Sequence, residues 1–254
     1  PRGYRDFEIG DNPRLIHLPT SARRGVPTIV ERVALRDFKV MVVVDLTPSM
    51  AARRKLVILH EAAALMLYAA WQAETTFALA AKTHAGLHRF GLGIGSRHFY
   101  NAFRILWQLC TRDRGSAPPG STVHVRRCLP PRSMLVYCSD FLGPEEQTER
   151  LLRAARRYDF VPIVVQDELE YSFPQPRQAS LLAMADPETG SGRELWISTH
   201  SAAEIAQRNE ARFGHLIEQF RKQDIRHIHL DVPGVDTTHA ALNGYFRRRR
   251  REAA

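Results

Sequence analysis

The run Phe38-Lys39-Val40-Met41-Val42-Val43-Val44 ends in a carboxylate, Asp45. Apolar residues on successive rather than alternating positions, rich in β-branched side chains, predict a strand buried on both faces of a parallel sheet. Such a strand needs helices above and below it, which restricts the chain to an α/β layer architecture. Immediately after it, Asp45-Leu46-Thr47-Pro48-Ser49-Met50 presents a carboxylate and two hydroxyls at i, i+2 and i+4. Oxygen-only donors suit Mg²⁺ or Mn²⁺ better than zinc, which prefers sulfur or imidazole. Open α/β sheets also bind ligands outside the carboxyl ends of their strands. The same residues have a plainer reading, with Ser49 as the N-cap of the helix that follows.

A second carboxylate strengthens the metal reading. Ser133-Met134-Leu135-Val136-Tyr137-Cys138 is another apolar strand, and it runs into Ser139-Asp140-Phe141. Gly143-Pro144-Glu145-Glu146 then opens a helix, with Pro in its first turn and acids at the positive end of the dipole. If the two strands are parallel, Asp45 and Asp140 project from one rim of the sheet. Two carboxylates brought together repel unless a cation lies between them.

Along the chain, strands predicted at 38–45, 76–81, 86–90, 133–139, 160–166 and 225–231 alternate with helices at 51–73, 97–111, 144–158, 201–222 and 237–249. Leu181–Ala185 and Glu194–Ser198 flank a long turn and predict a hairpin. The expected fold class is α/β, a doubly wound, mostly parallel sheet of Rossmann type with helices on both faces. Residues 1–37 carry turn chemistry but no long helix period, and are expected to form an extended N-terminal arm ahead of a domain at 38–254. The 254 residues are enough for one large domain of this kind. No apolar run is long enough to span a membrane; Leu56 to Trp71 comes nearest and is broken by His60 and Glu61. Cys110, Cys128 and Cys138 lack paired spacing, which fits a reducing cytoplasm, with an anchor upstream of residue 1 left open.

Several other patterns invite chemistry. Gly91-Leu92-Gly93-Ile94-Gly95-Ser96 precedes a helix, but it matches neither the dinucleotide fingerprint nor the P-loop, and no Lys follows it. Ser96 is the expected cap of that helix, and a further oxygen for the cation. His227, His229 and Asp231 alternate along a strand and so share a face, a partial zinc set. The net charge of +9 includes the run Arg247 to Arg251, which suits phosphate or an acidic partner, or simply ends the last helix. Neither a G-x-S-x-G elbow nor an H-E-x-x-H pair is present, and no activated nucleophile emerges.

Tyr4-Arg5-Asp6-Phe7-Glu8-Ile9-Gly10-Asp11-Asn12-Pro13-Arg14-Leu15-Ile16 with Ala22-Arg23, the Asp45-Thr47-Ser49-Met50 loop, Ser139-Asp140-Phe141, and the Asp186-Pro187-Glu188-Thr189-Gly190 turn together carry a resemblance. The chain resembles the von Willebrand factor A (vWA)-like proteins, specifically the bacterial family known as domain of unknown function 58, over nearly its whole length. His17 and Leu18 stand where that family has aspartate and tryptophan. Gly95-Ser96-Arg97 stands where its sites carry a threonine.

The resemblance implies a metal-ion-dependent adhesion site. Asp45, Thr47, Ser49, Asp140 and Ser96 would hold Mg²⁺ or Mn²⁺, and a partner's acidic residue would complete the coordination. It further implies a non-catalytic protein-binding adaptor that works with a MoxR-type AAA+ ATPase in chaperone-like activation of a client. Two alternatives stand beside it. One is a metal-dependent phosphoesterase or nuclease using Asp45 and Asp140. The other is a basic nucleic-acid-binding protein, which is disfavoured because no recognised binding motif accompanies the arginines.

Overall fold

A computed structural model describes residues 3–8, 16–31, 38–51, 54–83, 86–112, 129–130, 132–171, 173, 176, 178–185 and 191–252. The chain divides into two compact units, Pro1–Phe38 and Lys39–Ala254.

The first unit is not wholly extended. Strands β1 (Gly3–Asp6) and β2 (Thr28–Glu31) pair antiparallel, and helix α1 (Leu18–Arg24) lies between them in sequence. Two turns are too short to leave a readable helical period, but the caps are clear. His17 accepts the amide of Thr20 at Nδ1, and Gly25 closes the helix at a left-handed φ of 70° with its N–H on Ser21 O. The segment Ile9 to Leu15, which carries much of the N-terminal signature, lies outside the described residues.

The second unit follows the expected alternation closely. Its elements are β3 (Lys39–Asp45), α2 (Lys55–Gln72), β4 (Thr76–Thr83), β5 (Gly86–Arg89), α3 (Ser96–Arg112) and β6 (Met134–Ser139), then α4 (Glu145–Ala155), β7 (Asp159–Val165), β8 (Ser180–Ala185), β9 (Gly192–Ile197), α5 (Thr199–Lys222), β10 (Ile228–Leu230) and α6 (Val235–Glu252). Six strands form one sheet in the order β10-β7-β6-β3-β4-β5. All neighbours are parallel except β4 and β5. The separate β8–β9 hairpin is antiparallel, and the Asp186–Gly190 turn that joins it lies outside the described residues.

The sheet is doubly wound because β3 leads to β4 on one side through α2, while β6 leads to β7 in the opposite direction through α4. Crossovers of one hand running in opposite directions place their helices on opposite faces. Val40, Val42 and Val44 pack with α2, α3 and α6, whereas Met41 and Val43 pack with α4 and α5. Val42, Val43 and Val44 are all completely buried, as a strand covered on both faces requires. Helix α2 buries Ile58, Leu59, Ala62, Ala63, Met66, Leu67 and Ala70, one continuous stripe at helical spacing.

The junction between β3 and β6 is the point where the winding reverses, and it is the crevice such sheets use for ligands. Glu61, from the middle of α2, accepts the amide of Gly234 at 2.8 Å and the hydroxyl of Thr238 at 3.4 Å. A carboxylate thus sits at the positive end of α6 and ties the two helices together.

Candidate functional site: a charged rim at the switch point

Asp45 closes β3 and Asp140 follows β6, so parallel pairing of these strands brings both carboxylates to one rim, as expected. Asp45 is buried. Its Oδ1 accepts the amide of Thr47 at 3.1 Å, and its Oδ2 accepts the hydroxyl of Ser139 at 3.1 Å. Thr47 Oγ1 lies 3.2 Å from Ser49 Oγ, and both residues are buried. Ser49 belongs to a 3₁₀ turn, Pro48–Ala51, and the N-cap of α2 is Arg54, so the capping role for Ser49 is not what the chain builds.

Asp140 is fixed at Oδ1 by the amide of Leu142 at 3.1 Å. Its neighbour Phe141 holds a left-handed φ of 53°, a strained conformation for an aromatic residue. Its amide donates to Ser139 Oγ at 3.1 Å, and its ring meets Phe220 edge-on at 5.5 Å and Tyr137 at 5.7 Å.

Two lysines complete the cluster, and neither was foreseen. Lys55, the first residue of α2, is 1% exposed and donates from Nζ to Asp140 Oδ2 at 2.8 Å and to Glu170 Oε1. Glu170 comes from the 3₁₀ turn after β7, where a capping box holds it: Asp167 accepts the amide of Leu169, and Glu170 Oε2 accepts the amide of Asp167. Lys82, the register partner of Asp45 across β3 and β4, places Nζ 3.3 Å from Asp45 Oδ2.

Burial and charge oppose one another here. Burial pushes the Asp45 carboxyl above its ordinary value; the Lys82 ammonium pulls it back, and the nearby Asp140 charge pushes it up again. For Lys55, burial alone would lower the ammonium, but the Asp140 and Glu170 carboxylates together outweigh it and hold the group above its ordinary value. Glu170 is raised by burial, which Lys55 only partly offsets. The charged ammonium of Lys55 is the firm member of this pair, because two carboxylates serve one cation.

The donor set suits a hard divalent ion in kind, since Asp45, Thr47, Ser49 and Asp140 offer oxygen alone. It does not suit one as arranged. Each carboxylate is already paired with a lysine, and a dication bridging the two would have to displace both the buried Lys55 and the more accessible Lys82. Among the described residues no group of three or more His, Cys, Asp or Glu is placed to hold a metal.

Ser96 is not brought to this rim. Gly93 exchanges backbone hydrogen bonds with Phe77, near the start of β4, whereas Lys82 lies near that strand's far end. Five residues of strand separate the two points, about 17 Å. The antiparallel β5 returns the chain to the opposite edge before α3 begins, and Ser96 is exposed there. The glycine loop also has a structural cause. A Cβ at Gly93 would lie 2.5 Å from the His98 ring, whose Nε2 is 3.0 Å from Phe77 O, and Gly95 adopts a left-handed φ of 85°.

His227, His229 and Asp231 do not converge as ligands. His227 packs on Phe220 and His229 on Phe213, His229 Nε2 is 2.9 Å from Gln166 Oε1, and Asp231 accepts the Tyr171 hydroxyl. The arginine run lies on α6, where Arg249 pairs with Asp159 and the nearby Glu252 pairs with Arg226.

Strand order and rim together define an α/β domain with a charged cluster at the topological switch point. The chain belongs to the family described as protein of unknown function DUF58, whose pattern matches residues 3–213. Among solved structures it is similar to the conserved hypothetical protein BatB from Bacteroides thetaiotaomicron, at 8% identity and a TM-score of 0.47, over 80% of this chain and 94% of that one. An aerotolerance-related membrane protein from Bacteroides fragilis NCTC 9343, carrying multiple mutations to serines, is similar at 13% identity and a TM-score of 0.44, over 83% and 99%. A von Willebrand factor type A structure from Catenulispora acidiphila is similar at 14% identity and 0.37, over 51% and 33%. The comparison with curated proteins finds no match. No helix among the described residues is long and apolar enough to cross a membrane.

Proposed function

We propose that this protein is a non-catalytic protein-binding adaptor that uses the strand-end rim as its binding face. One observation carries the reading: Asp45, Thr47, Ser49 and Asp140 converge in a buried cluster at the switch point, where Ser139 donates to Asp45 and the Thr47 and Ser49 hydroxyls meet each other. A nucleophile needs an adjacent general base, and here each acid that could act as one is already paired with a lysine. The same arrangement disfavours the phosphoesterase reading.

The partner suggested by the family resemblance is a MoxR-type AAA+ ATPase, with a client that offers an acidic residue. Such work belongs to the cytoplasm, a placement that the unpaired Cys110 and Cys138 favour; burial pushes both thiols up to about 12.

Capture of a purified MoxR-type ATPase by the full chain, followed by ATPase rate with and without the chain, tests the proposal. Thr47→Ala/Ser49→Ala should weaken capture at unchanged net charge and fold. Capture at full strength in that double variant would place recognition elsewhere on the domain. Turnover of a phosphodiester with Mn²⁺, lost in Asp140→Asn, would replace the adaptor by an enzyme.

A further inference from the structure

We propose that Lys55 and Lys82 are the cations of this rim, and that the domain takes a partner's carboxylate on Lys82 without a divalent ion. The inference rests on the rim being the binding face and goes beyond it by replacing the metal with two residues of the chain.

Two ammonium groups carry the charge of one divalent ion, and each stands on one of the two carboxylates a metal would bridge: Lys55 on Asp140, Lys82 on Asp45. Lys55 is committed. It is 1% exposed, bonded to Asp140 and Glu170, and placed at the N-terminus of α2, where the helix dipole disfavours a cation unless carboxylates hold it. Its departure to admit an ion would leave a buried ammonium without partners.

Lys82 is the more accessible of the two, with a side chain 15% exposed. Among the described residues its hydrogen bond is to Asp45 Oδ2 at 3.3 Å. An ammonium has three N–H donors, so among the described residues donors remain for an incoming carboxylate. Asp45 is anchored independently by Thr47 and Ser139 and keeps those bonds when Lys82 shares itself with a partner.

Titration of the full chain with MgCl₂ and MnCl₂ by calorimetry tests the cation assignment. Unmodified protein should show no saturation below about 10 mM, and EDTA should leave its Tm unchanged. Lys55→Met/Lys82→Met bares the acids and should bind Mn²⁺ at least about tenfold more tightly. If that variant does not fold, Lys82→Met alone should show the gain. Saturable metal binding by the unmodified chain that is lost in Asp45→Asn would overturn the proposal, as would no gain in Lys82→Met.

A labelled oligoglutamate peptide at physiological salt tests the ligand. It should bind equally with and without EDTA, and at least about tenfold more weakly to Lys82→Met. Binding abolished by EDTA would sink the metal-free inference and leave the rim as the binding face. Binding indifferent both to Lys82→Met and to Thr47→Ala/Ser49→Ala would sink the rim reading itself.

Discussion

Lys55 Nζ lies 2.8 Å from Asp140 Oδ2, and the two side chains are 1% and 3% exposed. The residues are 85 positions apart in sequence, and their pairing ties the start of α2 to the end of β6 across the switch point. With Glu170 on the same ammonium, it joins three segments of the sheet's carboxyl edge.

Breaking this pair from one side should be expensive. Lys55→Met leaves Asp140 buried, with half-buried Glu170 near it, without their cation, and removing one member of a buried pair costs about 3–5 kcal/mol. Urea denaturation should show a loss of unfolding free energy of that size. A loss below about 1 kcal/mol, the range of exposed pairs, would mean that the site is wetter than its burial indicates.

Gly93 should resist even the smallest side chain. A Cβ there meets His98 Cγ and Nδ1 at 2.5 Å, so Gly93→Ala must push the ring away from Phe77 O. The expected cost is about 1–3 kcal/mol, with His98→Ala partly relieving it in the double variant. Additive losses in the double-mutant cycle would show that the two residues do not compete for space.

Glu61 should contribute through the amino end of α6. Glu61→Ala removes the acceptor of the Gly234 amide and the Thr238 hydroxyl, and should cost about 1–2 kcal/mol by thermal unfolding. Glu61→Gln keeps an acceptor and should lose less. Equal losses in both variants would assign the effect to charge alone.

Acid should weaken the fold through His60 and His227. Burial lowers both below their ordinary value of 6.5; for His227 the nearby His229 lowers it further. His60 sits against Phe103 and Trp107, with its buried Nε2 bonded to no group among the described residues. The unfolded chain therefore takes up these protons at higher pH than the folded one. Stability is complete above 6.5, and falls as pH drops from there towards the lowered folded values. His60→Phe should flatten part of the slope between pH 7 and 5; an unchanged slope would exclude His60 as a contributor.

Much of this molecule was legible because buried parallel strands announce themselves. Phe38–Val44 and Met134–Cys138 are apolar at every step but one, and their ends located Asp45 and Asp140. Lys55 and Lys82 were missed because a lysine at a helix start or a strand end usually extends into solvent, and their partners lie far away in sequence. A signal did exist. A cation at the N-terminus of a helix opposes the dipole, and Lys82 is a charge at the end of an otherwise apolar strand. Ser96 was misplaced because the strand at 86–89 was expected but its antiparallel direction was not, and that direction decides which edge the next helix starts from. Helix α1 went unseen because its seven residues bury no apolar face.

The six-stranded sheet ends in β10, of three residues, on one side and β5, of four, on the other. Edges so short offer a neighbouring chain little main-chain ladder to extend. A partner therefore gains almost nothing by adding a strand of its own to this sheet, the route many peptide-binding domains use. Discrimination then falls to side chains, which can be exchanged one at a time without touching the backbone. If the strand ends are the binding face proposed above, substituting a few residues there would change what is recognised while the sheet beneath them stays the same.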